Sequence, residues 1–205
     1  MTAEAALHRH PLEEPLSAGE PGRVELRDVP WRCLVELLLA TAEDGSGADT
    51  GPASAELGFA LPGPGRVGSD GQLSAVGLGP GWWLLDAPGA DAPRPGTDPA
   101  AALEPPLVHR LRAVGGRLSA VDVSAAYGVL ELSGPQAARV LAHGCSIDLH
   151  PREFGPGQSA RTTLAKAQVV LAQLDDAPTY RIWVRSSFAR YLADWLLDAA
   201  VEYLA

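Results

Sequence analysis

The sequence predicts an α+β fold: two ferredoxin-like layers, each a sheet with helices on one face, packed into one body. Three observations carry this expectation. Apolar residues alternate in short runs, as half-buried strands require. Segments with helical apolar spacing lie between those runs, most clearly near the end of the chain. The two halves also repeat one order of elements. The first reads strand, helix, strand, strand, helix, strand, and the second reads strand, helix, two or three strands, helix.

Residues 1–22 carry Pro, Glu, Gly and Ala without periodicity and are expected to form an extended or disordered arm. Residues 23–205 are expected to form a single α+β body, with subdomains of about 23–117 and 118–205. The first strand is predicted at 31–40, where Trp31, Cys33, Val35, Leu37 and Leu39 alternate onto one face. A Gly/Asp loop follows, then a short helix over 53–61 closed by Pro62-Gly63. Residues 62–71, dense in Gly and Pro, read as loop. Apolar runs at 73–78 and 82–87 flank Gly79-Pro80-Gly81 and predict a hairpin. A helix is expected over 99–114, broken or kinked by Pro105-Pro106 and ended by Gly115-Gly116.

Strands are predicted at 118–123 and 128–132. Ser133-Gly-Pro-Gln136 has the spacing of a capping box, opening a helix that runs to His143 and stops at Gly144. Three further strands are expected at 161–165, 168–174 and 180–185. The final helix, 187–203, places Phe188, Tyr191, Leu192, Trp195 and Ala199 on one stripe, with Arg190, Asp194, Asp198 and Glu202 on the other side.

The chain has 205 residues, 46% of them apolar and 20% charged, and a chain of this length buries roughly 70% of its unfolded surface without staples. A net charge of −9 argues against nucleic acid or anionic membrane as partner, since both need clustered cations. Two cysteines, Cys33 and Cys145, lie far apart with no CxxC partner, which points to a reducing cytoplasm. The N-terminal stretch lacks the apolar core of a signal peptide, and no apolar run is long enough to span a bilayer. A soluble cytoplasmic protein is expected.

Motifs that could carry chemistry fail on context. Gly63-Pro-Gly-Arg-Val-Gly68 has the letters GxGxxG, but a dinucleotide site needs a strand before it and a helix after it. Gly77-Leu-Gly-Pro-Gly81 is a hairpin turn. Lys166, the only lysine, follows no glycine run and falls at a turn, which excludes a P-loop and disfavours a Schiff base. Gly157-Gln-Ser-Ala-Arg161 lacks the second glycine of a nucleophile elbow. Cys145 has His143 and His150 nearby, yet a small buried residue after a helix is the better reading. His8 and His10, or Asp148 with His150, lack further ligands at metal-site spacing. Asp122, Asp148, Asp175 and Asp176 near strand ends read as turn or cap residues. Trp183, Phe188, Tyr191, Trp195 and Tyr203 read as core, with a partner surface as the second reading. No catalytic, cofactor-binding or metal-binding residue is assigned.

Several segments carry a resemblance. Gly77-Leu-Gly-Pro-Gly-Trp-Trp-Leu-Leu-Asp-Ala-Pro88 resembles a strand-turn-strand of the sarcosine oxidase gamma-subunit family. Val121-Asp-Val-Ser124 with Leu130-Glu-Leu-Ser-Gly-Pro135 is similar to its middle segment. Gly144-Cys-Ser-Ile-Asp-Leu-His-Pro-Arg-Glu-Phe154 is the most specific match. Asp176-Ala-Pro-Thr-Tyr180, Val184-Arg-Ser-Ser-Phe188 and Asp194-Trp-Leu-Leu-Asp198 resemble its end, and Arg9-His-Pro-Leu12 its N-terminal arm. The resemblance implies a fold similar to the folate-binding domain of the glycine-cleavage T-protein. It implies a non-catalytic subunit of a heterotetrameric bacterial enzyme that oxidatively demethylates sarcosine to glycine. That enzyme makes hydrogen peroxide and passes the one-carbon unit to tetrahydrofolate. The implied partners are alpha, beta and delta subunits, which would hold FAD, FMN, NAD, zinc and the folate site, leaving this chain without a prosthetic group. The alternative is a free-standing folate-binding or aminomethyltransferase-like protein of the same fold. A cysteine-dependent enzyme built on Cys145 is the third reading.

Overall fold

A computed structural model of the chain describes residue 12 and residues 16–20, 22–30, 32–41, 47–89 and 105–203. In chain order the elements are β1 (Ser17–Glu20), β2 (Val24–Asp28), β3 (Arg32–Leu39), α1 (Gly51–Leu57), β4 (Val67–Ser69), β5 (Ser74–Gly79), β6 (Trp82–Pro88), α2 (Pro106–Ala113), β7 (Leu118–Asp122), β8 (Tyr127–Ser133), α3 (Ala137–Ala142), β9 (Ser159–Leu164), β10 (Ala167–Gln173), β11 (Thr179–Arg185) and α4 (Ser186–Ala199). They form two antiparallel sheets with a few helices, the α+β class the sequence predicts. The chain divides into two units. One is Trp31–Ser124. The other joins Met1–Pro30 to Ala125–Ala205.

The contiguous unit has strand order β4-β5-β6-β3-β7. Without β4 this is the fourth-first-third-second order of a βαββαβ ferredoxin-like layer. The alternation read from the sequence holds for Cys33, Val35, Leu37 and Leu39, which share the face covered by Ala53 and Leu57 of α1 and by Leu107, Val108 and Leu111 of α2; Trp31 lies outside the described residues. The expected helix ends move. α1 stops at Gly58, whose left-handed backbone places its N–H on Ser54 O. Pro105 and Pro106 stand at the start of α2, where a missing N–H costs nothing in a first turn. The part of that expected helix over 99–104 lies outside the described residues. Residues 62–71 are not all loop, since β4 pairs with β5 there.

The second unit has strand order β1-β2-β8-β11-β10-β9. Its elements follow the same plan as the first: β8, α3, an added edge strand β9, then β10, β11 and α4. The place of the fourth strand is taken by β2, from the start of the chain, which pairs with β8 through Leu26↔Leu132. The expected boundary between 117 and 118 is therefore corrected at both ends. β2 leaves the first half to complete the second unit, and β7 stays with the first through Leu37↔Ala120. Of the expected arm, Ser17–Glu20 is a strand on β2, and Leu12 is buried in this unit's core. The rest of 1–15 lies outside the described residues.

Leu130 and Leu132 of β8 face the core of the second unit with Val140 and Leu141 of α3 and Leu192 and Leu196 of α4. The alternate residue, Glu131, points to the other face and is only 3% exposed. It stands in register with Arg27 on β2 and Arg181 on β11. Both arginines donate to its carboxylate. The contiguous unit repeats this device: Asp86 on β6 is fully buried and accepts from Arg32 Nε at 2.6 Å.

The predicted capping box does not form. Ser133 remains in the ladder opposite Glu25 and Thr179, so its side chain is not at a helix start. Gly134 N–H bonds to Pro178 O, and α3 begins only at Ala137, with no side-chain cap. Gln136 Oε1 is buried with no hydrogen-bond partner among the described residues.

Candidate contact surface

After α3 the chain makes a tight exit. Cys145 N–H bonds to Leu141 O at 2.8 Å, and Ala165 N–H bonds to Gly144 O at 2.9 Å. The segment 145–154 is then pinned from below. Leu149 and Phe154 are buried in the core, Ile147 packs against it, and the Phe154 ring stacks on Tyr180 at 6.5 Å. Above these anchors the backbone is held by its own polar groups. Asp148 Oδ1 accepts His150 N–H at 2.8 Å, His150 Nδ1 accepts Arg152 N–H at 3.2 Å, and His150 O accepts the amides of Glu153 and Phe154. The result is a fixed loop whose exposed polar side chains are Ser146, Asp148, His150, Arg152 and Glu153.

α4 runs beside this loop. Gly144 makes the approach possible, because a Cβ there would lie 2.6 Å from Cζ2 of Trp195. The stripe expected on this helix is corrected. The buried residues are Ala189, Leu192, Ala193, Leu196 and, just past the helix, Ala200. These follow the i, i+3, i+4, i+7 spacing, and alanines let the helix lie close to the sheet. Phe188 and Tyr191 are instead 44% and 38% exposed, with rings edge to face at 6.3 Å. Of the aromatic series, Trp183 is fully buried, and Trp195 and Tyr203 are half-buried against the core.

The other residues singled out from the sequence are not brought together. No hydrogen bond among the described residues joins Cys145 to His143 or His150; the His150 ring accepts a backbone amide instead. Asp122 Oδ1 accepts Ser124 N–H at 2.9 Å, and Asp175 Oδ1 accepts Thr179 N–H at 2.8 Å, so both carboxylates organise turns. Asp176 and Lys166 are exposed in connecting turns. His8 and His10 lie outside the described residues.

The Gly63–Gly68 loop does not fit a dinucleotide. Its donors are already used: Gly65 N–H bonds to Gly77 O and Arg66 N–H to Gly63 O, and β4 follows where a helix would be required. Among the described residues no group of three or more His, Cys, Asp or Glu side chains could hold a metal ion. Among them, too, no helix is long and apolar enough to cross a membrane. A cavity of about 310 Å³ in the contiguous unit is lined by Leu39, Ala53 and Leu118 with Asp49 and Arg117; of these the sequence pattern marks only Leu39, as a strand residue.

Paired ferredoxin-like units of this kind define a class of α+β proteins that includes the glycine cleavage aminomethyltransferase T of Bartonella henselae. That structure matches with a TM-score of 0.57 over 86% of this chain and 46% of its own, and at 18% identity the likeness is one of fold alone. The sequence profile of the sarcosine oxidase, gamma subunit family matches residues 44–202. The sarcosine oxidase subunit gamma of Corynebacterium sp. (strain U-96) is 35% identical over 192 residues, 92% of this chain and 84% of that one. The subunit gamma of Arthrobacter sp. is 33% identical over 204 residues, 97% and 92% of the two chains. A chain in the structure of heterotetrameric sarcosine oxidase from Corynebacterium sp. U-96, in complex with pyrrole 2-carboxylate, matches with a TM-score of 0.73 and 32% identity. The match covers 98% of this chain and 93% of that one. The chain belongs to the sarcosine oxidase gamma subunit family.

Proposed function

We propose that this chain is the non-catalytic gamma subunit of a cytoplasmic heterotetrameric sarcosine oxidase, and that it contributes shape and contact area to alpha, beta and delta companions. The companions would oxidise sarcosine to glycine with reduction of oxygen to hydrogen peroxide, and pass the one-carbon unit to tetrahydrofolate. FAD, FMN, NAD and zinc would reside on them. The observation that carries this reading is the 35% identity to a sarcosine oxidase gamma subunit across 92% of the chain. Two features support the non-catalytic part. Asp148 Oδ1 and His150 Nδ1 are spent on holding the loop 145–154, and the amides of Gly65 and Arg66 are spent on Gly77 O and Gly63 O. The free thiols of Cys33 and Cys145 support a reducing compartment.

The experiment is co-expression of the full tagged chain with its three companions. The tag is expected to recover a yellow complex that turns over sarcosine, while the chain alone is colourless and produces no peroxide. Turnover or stoichiometric flavin on the isolated chain would end this reading. Asp148→Ala and His150→Ala are expected to reduce complex yield and leave the isolated fold unchanged.

The likeness to aminomethyltransferase T keeps one other reading, a free-standing folate-binding protein. Calorimetry of the isolated chain with tetrahydrofolate separates the two, with saturable binding expected only for the second.

A further inference from the structure

We propose that the outer face of α4 is the docking surface for another subunit of the heterotetramer, one that presents an apolar pocket rimmed by arginine or lysine. This rests on the gamma-subunit reading above. The inner face of the helix is already filled by Ala189, Leu192, Ala193 and Leu196, so Phe188 and Tyr191 have no core to enter. One turn apart, they brace each other edge to face, which fixes two large side chains before any partner arrives. Trp195 extends the same row, half-buried over Gly144, and so joins the aromatic pair to the loop 145–154.

The charge on this face selects the occupant. Asp194, Asp198 and Glu202 are exposed along its carboxyl-terminal half. Arg190 offsets Asp194 at 3.0 Å. Asp198 and Glu202 stand at the negative end of the helix dipole, with no basic residue in the last turn. A cationic rim relieves that arrangement, and exposed aromatics beside it are the side chains most often used as interface anchors.

The test uses the full tagged chain with its three companions. Phe188→Ala/Tyr191→Ala and, separately, Asp198→Arg/Glu202→Arg are expected to lower recovery of the companions at least tenfold. The circular dichroism and melting of the isolated full chain should stay unchanged, and Lys166→Ala should recover the companions like the wild type. If the aromatic variant fails to fold, the charge variant decides. Recovery at the wild-type level by the folded variants would overturn the proposal and leave the gamma-subunit reading standing. A wild-type chain that recovers no companion would overturn both. A wild-type dimer in sedimentation that Phe188→Ala/Tyr191→Ala dissolves would give the face to a second copy and also overturn it.

Discussion

Arg181 stands directly opposite Glu131 across β8 and β11, and its Nε and Nη2 both donate to Glu131 Oε1, at 2.8 and 2.6 Å. Glu131 is 3% exposed while Arg27, its other partner, has a side chain 55% exposed. Arg181 therefore carries most of the compensation for burying this carboxylate. Arg181→Met is expected to cost about 3 kcal/mol in urea unfolding, because it leaves a buried charge to a solvent-screened partner. Replacing all three residues by Met, Leu and Met should bring stability back to within about 1 kcal/mol of the wild type or above it. A wild-type urea midpoint for Arg181→Met would contradict this.

Gly77 is predicted to be intolerant of any side chain. A Cβ there would lie 2.2 Å from Gly63 O and 2.9 Å from its carbonyl carbon, and backbone cannot swing aside as a side chain can. Gly77→Ala is expected to lower stability by about 2–3 kcal/mol through overpacking. Hydrogen exchange should show faster loss at the Gly65 amide, which bonds to Gly77 O at 2.9 Å.

Phe154 holds the loop 145–154 by burial and by stacking on Tyr180. Phe154→Ala is expected to cost about 3–5 kcal/mol. The loop should become the first site of proteolytic nicking; unchanged resistance and stability would show that Leu149 alone suffices.

The Cys33 thiol is pushed up to about 11, first by burial and then by the negative charges of Asp122 and Asp86. Its folded-state value lies above the ordinary thiol value of 9.0. The unfolded chain therefore releases this proton first, and stability is lost as pH rises from 9.0 toward about 11. Unfolding at pH 8 and pH 10.5 should show a larger fall for the wild type than for Cys33→Ala, and equal falls would contradict the shift. Cys33 should also react slowly with thiol reagents near neutral pH.

The sequence made the β5–β6 hairpin legible, since two alternating runs flank a Gly-Pro-Gly turn. It also made the two-unit plan legible, because each half prints its own order of helices and strands. β1 was illegible: Ser17–Glu20 has only Ala18 as an apolar side chain, so no alternation marks it. β2 has only Val24 and Leu26 turned inward among charged neighbours, so its run is too short to stand out. The Ser133–Gln136 motif misled because the ladder partners of Ser133 lie far off in sequence, at Glu25 and Thr179. On α4 the ring residues drew attention by size, while the helix was seated by Ala189 and Ala193. That exchange of small for large is what exposes Phe188 and Tyr191, so the candidate surface was visible in the residue list and invisible in its orientation.

The place of β2 has a consequence during synthesis. When a ribosome has released residue 124, every strand of the contiguous unit is present and can zip together. Val24–Asp28 emerged earlier, yet their partner β8 is still being made. That short segment, with only β1 as an earlier partner, must wait about a hundred residues of translation for β8. The second unit therefore closes by joining an early part of the nascent polypeptide to one made long after it.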